Sequence, residues 1–202
     1  MLALLKELKL DENTLVMLSG DNGSSFGPGT PVGKLFDQSM GGKLRDNKRS
    51  MFEGGLRQAS IARWPGKVTA GRVSDAPWAF WDFMPTVAEI TGAKIPDTWK
   101  SNGLSLVDFL KGGKAPQRPF FYWELHEGAP SQAIRFGDWK AVRPAPNKPM
   151  LLFDLKTDSA ETKDLAAEHP ELVKKAVDLM NGYRTADPNW PDPAGVAGKR
   201  SK

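Results

Sequence analysis

The stretch Leu15-Val16-Met17-Leu18-Ser19-Gly20-Asp21-Asn22-Gly23 decides how the chain is read. An apolar run of strand-forming residues stops at a small, polar, glycine-flanked tip. In an open α/β sheet, ligands bind just beyond the carboxyl ends of the strands, where such a tip sits. Asp21 and Asn22 place a carboxylate beside an amide carbonyl, the hard oxygen donors that Ca²⁺ or Mg²⁺ takes. The same tripeptide suits a plain turn, because Asn and Gly tolerate left-handed backbone angles. A second piece follows: Lys48-Arg49-Ser50-Met51-Phe52-Glu53-Gly54-Gly55-Leu56-Arg57. It brings cations, a carboxylate and a Gly-Gly pair that permits close backbone approach, though Glu53-Gly54-Gly55 also reads as a simple bend.

Working outward, residues 1–10 carry Leu2, Leu5 and Leu8 at helical spacing and predict an amphipathic helix. Charge interrupts this segment and it has no small-residue cleavage site, so it does not read as a signal peptide. A helix leading into a buried-type strand is half of a βαβ unit, which predicts an α/β fold. Between the two pieces, residues 23–42 form a glycine-rich connection, long enough to be functional or disordered. Ser24, Ser25 and Phe26 at its start suit either a pocket mouth or ordinary loop polarity. Residues 60–64 predict a short strand stopped by Pro65-Gly66. Residues 78–91 predict a helix whose stripe of Phe80, Phe83, Met84, Val87 and Ile90 faces the core, with Gly92 as its stop. A shorter helix is predicted over 105–110, and Gly112-Gly113-Lys114-Ala115-Pro116 reads as a domain boundary.

Past that boundary the apolar period becomes two. Strands are expected at 120–125, 132–136, 139–143 and 150–155, with Gly137-Asp138 as a two-residue hairpin turn. A helix then begins at His169-Pro170, with proline in its first position. Leu172, Val173, Ala176, Leu179, Met180 and Tyr183 make its buried stripe. The expected organisation is an α/β part over 1–114, a small antiparallel α+β subdomain over 115–186, and an irregular tail over 187–202.

With 202 residues, 40% apolar and 26% charged, the composition is that of an ordinary globular protein. Its apolar runs are too short to span a bilayer. The absence of cysteine excludes disulfides and thiolate metal sites but fixes no compartment. The net charge of +4 suits an anionic ligand. The basic ending Lys199-Arg200-Ser201-Lys202 lacks the aromatic or motif context of a nucleic-acid patch and reads as a solvated terminus.

Taken together, a strand running into Ser-Gly-Asp-Asn-Gly, a glycine-rich loop and Lys48-x₄-Glu53-Gly54-Gly55-Leu56-Arg57 resemble the C-terminal portion of the type I, formylglycine-dependent sulfatases. These are arylsulfatase-like members of the alkaline-phosphatase-like superfamily. Trp139-Lys140-Ala141-Val142-Arg143, Leu152-Phe153-Asp154-Leu155 and the segment from Asp158 to Ala166 are similar to that family's terminal subdomain. Asn47, Gln58-Ala59 and Ser159 depart from the common wording. The resemblance implies the C-terminal part of an alkaline-phosphatase-like α/β fold, plus a small antiparallel sheet with a packed C-terminal helix.

The resemblance also implies roles. Lys48, five residues before Glu53, is the catalytic and substrate-binding cation on the sulfate oxygens. Asp21 and Asn22 are Ca²⁺ ligands, and Glu53, Gly54, Gly55 and Arg57 support the loop. His126 is either a substrate contact from the rim or an exposed loop histidine. The substrate is a sulfate ester, of a sulfated carbohydrate or an aryl alcohol, in a periplasmic or extracellular setting. No serine opens a Ser-x-Pro-x-Arg motif and there is no cysteine, so the family's nucleophile is absent, as are the aspartates that complete its metal site. The chain therefore reads as a portion inactive alone, with a missing N-terminal half as partner. Non-catalytic binding of sulfate or sulfated glycans through Lys48, Arg49 and Arg57 is the alternative. A phosphodiester or phosphonate hydrolase of the same superfamily is the lesser one.

Overall fold

The computed structural model describes residues 1–26, 31, 44–185 and 187–189. Most of the glycine-rich connection and residues 190–202 of the expected tail lie outside the described residues. The chain forms two compact units, one built from Met1–Ser19 and Ala59–Arg118, the other from Gly20–Gln58 and the residues from Pro119 onward.

In the first unit, helix α1 (Leu2–Glu7) leads through a 3₁₀ turn to strand β1 (Val16–Ser19). Arg63 clamps Asp11 in that turn with two hydrogen bonds of 2.7 and 2.9 Å. Strand β1 pairs antiparallel with β2 (Ser60–Arg63), Leu18 standing opposite Ile61. The apolar run predicted a buried strand of a βαβ unit, but Leu18 is 65% exposed and Ile61 63% exposed. An apolar run signals a strand, whereas its partner and direction depend on chain that lies elsewhere in the sequence.

The helix predicted over 78–91 is a 3₁₀ turn (Phe80–Asp82) continued by helix α3 (Phe83–Thr91), and Gly92 ends it at φ 71°. Its expected core stripe does not hold: Phe80, Phe83 and Met84 are exposed, while Asp82 and Thr86 are buried. Those two polar residues are buried because backbone donors satisfy them and Arg118 pairs with the Asp82 carboxylate. Asp82 accepts the N–H groups of Ala79 and Leu104, each at 2.9 Å. Thr86 Oγ1 accepts Leu106 N–H at 2.9 Å, which fastens α4 (Val107–Leu110) to α3.

The second unit is built on the predicted meander: β3 (Phe121–Leu125), β4 (Ser131–Phe136), β5 (Trp139–Arg143) and β6 (Leu151–Asp154), neighbours in sequence order. Gly137 has φ 62° and Asp138 does not share it, as a type II′ turn requires. Alternation divides the sheet into two faces. One carries Ile134, Phe136, Ala141 and Leu152 and packs on Ala176 and Met180 of helix α5 (Pro170–Tyr183). The other carries Ala133, Val142 and Phe153 and packs on Met51 and Phe52, beside helix α2 (Glu53–Leu56). The lysine-bearing segment is thus seated directly on the sheet.

Candidate functional site

Two backbone hydrogen bonds join the strand tip to the lysine segment. Gly23 N–H donates to Gly55 O at 2.9 Å, and Lys48 N–H donates to Ser24 O at 2.8 Å. The glycines are the condition for this clasp. A Cβ on Gly23 would stand 1.8 Å from Gly54 O, one on Gly54 2.1 Å from Asp46 O, and one on Gly55 2.2 Å from Ser50 O. Gly54 N–H also donates to Arg45 O at 2.8 Å, closing the segment into a loop. Asp21, Asn22 and Lys48, distant in sequence, are therefore held on adjoining backbone.

Asp21 is exposed and Asn22 half-buried. The Asn22 amide donates to Gly23 O at 3.0 Å, which turns its oxygen the other way. A carboxylate and an outward amide oxygen suit a hard divalent cation. They fit as two ligands of a Ca²⁺ shell that needs about six to eight, and among the described residues no cluster of three acidic or histidine side chains completes it. Lys48 is half-buried, and no carboxylate among the described residues pairs with its ammonium. A half-buried cation with no carboxylate partner among the described residues is suited to an anionic ligand.

Glu53 is 4% exposed and accepts a hydrogen bond from Lys140 Nζ at 2.8 Å. Lys140 itself is fully buried, and Glu161 Oε1 lies 2.9 Å from it, an ion pair by distance without hydrogen-bond alignment. The Glu53 N–H donates to Glu161 Oε2 at 2.6 Å. Burial pushes the Glu161 carboxyl above its ordinary range, with Lys140 pulling the other way. Arg45 donates to Glu161 O at 3.0 Å and stacks 3.8 Å over the Phe52 ring. Sequence reasoning did not find Lys140, Glu161 or Arg45 as supports of this loop. Arg57, expected to help pin it, is exposed, and its backbone N–H donates to Glu53 O at 2.7 Å.

His126 sits just past β3 and is largely buried, its Nε2 3.0 Å from Glu124. Glu124 also takes Arg184 Nε at 2.8 Å and a short hydrogen bond from Tyr122. Burial opposes its charge, but the hydrogen bonds from Tyr122 and His126 and the nearby Arg184 outweigh it and keep the carboxyl low. Burial and the Glu124 contact push the Tyr122 phenol well up. Exposed Arg49 pairs with Glu127 at 2.8 Å, so the residue beside Lys48 touches the residue beside His126.

Solved structures with this architecture are sulfatases. The crystal structure of Ps i-CgsB in complex with k-i-k-neocarrahexaose matches with TM-score 0.78 and 26% identity, over 94% of this chain and 41% of that one. A glycosaminoglycan sulfatase structure from Bacteroides thetaiotaomicron shares the fold at TM-score 0.77 and 23% identity, over 90% of this chain and 41% of its own. In sequence, canine N-acetylgalactosamine-6-sulfatase is 33% identical over 140 residues, 69% of this chain and 25% of that protein. Mouse steryl-sulfatase is 29% identical over 215 residues, 92% of this chain and 34% of the relative. The fold is that of the sulfatases. More particularly, the chain belongs to the family described as N-sulphoglucosamine sulphohydrolase, C-terminal, whose profile matches residues 44–183. It spans about a quarter to two-fifths of the length of the relatives it matches.

Proposed function

We propose that this chain supplies the sulfate-gripping C-terminal part of a sulfatase that hydrolyses sulfate esters. The observation that supports this reading is the backbone clasp that holds the segment carrying Lys48 against the turn carrying Asp21 and Asn22. In sulfate ester cleavage, negative charge spreads onto the leaving oxygen as the S–O bond breaks, and fixed cations on the non-bridging oxygens stabilise it. Lys48 is that cation. Asp21 and Asn22 would hold a Ca²⁺ as two of its ligands, and the ion would supply Lewis-acid polarisation and orientation of the sulfate. His126, held by Glu124, offers its ring to the alcohol or sugar from the neighbouring loop. The nucleophile belongs to a segment outside this sequence, and the exposed Leu18–Ile61 face suits the N-terminal half as partner.

The purified chain tests this reading. It should bind inorganic sulfate by calorimetry more tightly with Ca²⁺ than without, and should leave an aryl sulfate unhydrolysed. Calcium-dependent turnover well above background would overturn the requirement for the second half. Absence of sulfate binding would overturn the site.

A further inference from the structure

We infer that Lys140 and Glu161 are positioning residues for Lys48, forming a buried ionic cluster that holds the loop in its sulfate-gripping shape. The inference rests on the reading of Lys48 as the sulfate-binding cation. The face of the sheet beneath the loop packs Ala133, Val142 and Phe153 against Met51 and Phe52, with Arg135 opposite Lys140 on the neighbouring strand. Apolar residues in place of the whole cluster would suit it about as well energetically, because desolvating an ion pair costs about as much as its attraction returns, whereas removing Lys140 alone leaves Glu53 and Glu161 buried without their cation. What Lys140 adds is direction. Its ammonium reaches Glu53 Oε1 at 2.8 Å and lies 2.9 Å from Glu161 Oε1.

Glu161 then grips the loop at both ends. Its Oε2 takes the Glu53 N–H at 2.6 Å, and its carbonyl takes the Arg45 guanidinium at 3.0 Å. It does so from a left-handed backbone conformation, φ 54°, that non-glycine residues rarely adopt. Arg45 O in turn takes Gly54 N–H at 2.8 Å. Lys48 lies inside this closed segment, and its own N–H reaches across to Ser24 O. No hydrogen bond or ion pair among the described residues joins Lys140 or Glu161 to the Lys48 side chain; Lys140 acts through the Glu53 carboxylate and Glu161 through the Glu53 N–H and Arg45.

Lys140→Met and Glu161→Gln in the full chain test this. Hydrogen exchange at Gly23, Lys48 and Gly54 should accelerate by about 10-fold or more in Lys140→Met, a loss of about 1.4 kcal/mol of local protection. The β4 and β5 amides should stay protected, and sulfate affinity should fall by about 10-fold. Glu161→Gln keeps an acceptor for the Glu53 N–H and should give the smaller effect of the two. If Lys140→Met does not fold, Glu53→Gln, close in shape, takes its place. Loop amides as protected as in the parent chain, or protection lost evenly across the sheet, would overturn the inference. A parent chain that binds no sulfate, with loop protection still lost selectively, would instead sink the functional reading and leave the loop's support standing.

Discussion

At the scale of single residues, the site depends on what a Cβ or a charge would disturb. Gly23→Ala forces a carbon into Gly54 O. It should cost about 1–3 kcal/mol, read as a lower urea midpoint, and should weaken sulfate binding as the clasp opens. Glu161 makes a pH prediction. Its folded pKa is raised from 4.5 by burial, against the pull of Lys140, so as pH climbs past that value the folded state gives up the proton later than the unfolded chain does. Its contribution to stability is therefore full below pH 4.5 and declines as pH rises through the folded value. Lys140, Glu53 and Arg45 face it throughout. Thermal unfolding of the parent chain minus that of Glu161→Gln should show this decline, and a flat difference would refute it. The spacing of Lys48, Glu53 and the glycines was legible because a tight backbone approach admits few residue types. The Lys140–Glu53 contact was not, since it joins side chains 87 residues apart and neither residue advertises burial.

At the scale of elements, the meander was readable almost to the residue. Period two, Gly137 in the turn and Pro170 at the helix start are local signals, and each matches a local backbone requirement. Helix α3 was readable as a helix, but its buried face was not. Periodicity selects a stripe without naming what covers it, and here the satisfied Asp82 and Thr86 turn inward instead. The sheet is where truncation should register. Leu152, fully buried between β6 and α5, should lose about 2–5 kcal/mol on change to alanine. Leu18→Ala on the exposed face of β1 should shift stability by no more than about 0.5 kcal/mol. Denaturant unfolding of the two variants distinguishes them, and equal losses would contradict this picture of the core.

At the scale of the whole molecule, the chain carries a well-cored sheet unit and a unit whose strands keep large apolar side chains in water. Leu18, Ile61, Phe80 and Met84 are all exposed, and relatives of the same family run well beyond the matched region. The chain should accordingly enhance anilinonaphthalene sulfonate fluorescence alone, and should lose that enhancement when assembled with the N-terminal part of a sulfatase. An unchanged signal would argue against that partner. The most direct measurement compares sulfate binding by Lys48→Ala and Arg49→Ala. Removing the Lys48 ammonium should weaken sulfate about 10-fold or more, the size of a charge-assisted hydrogen bond. Removing Arg49, exposed and paired with Glu127, should change affinity by less than about 3-fold. If Lys48→Ala binds sulfate as the parent chain does, or if both variants lose it equally, the account of a single gripping lysine at the strand tip is wrong.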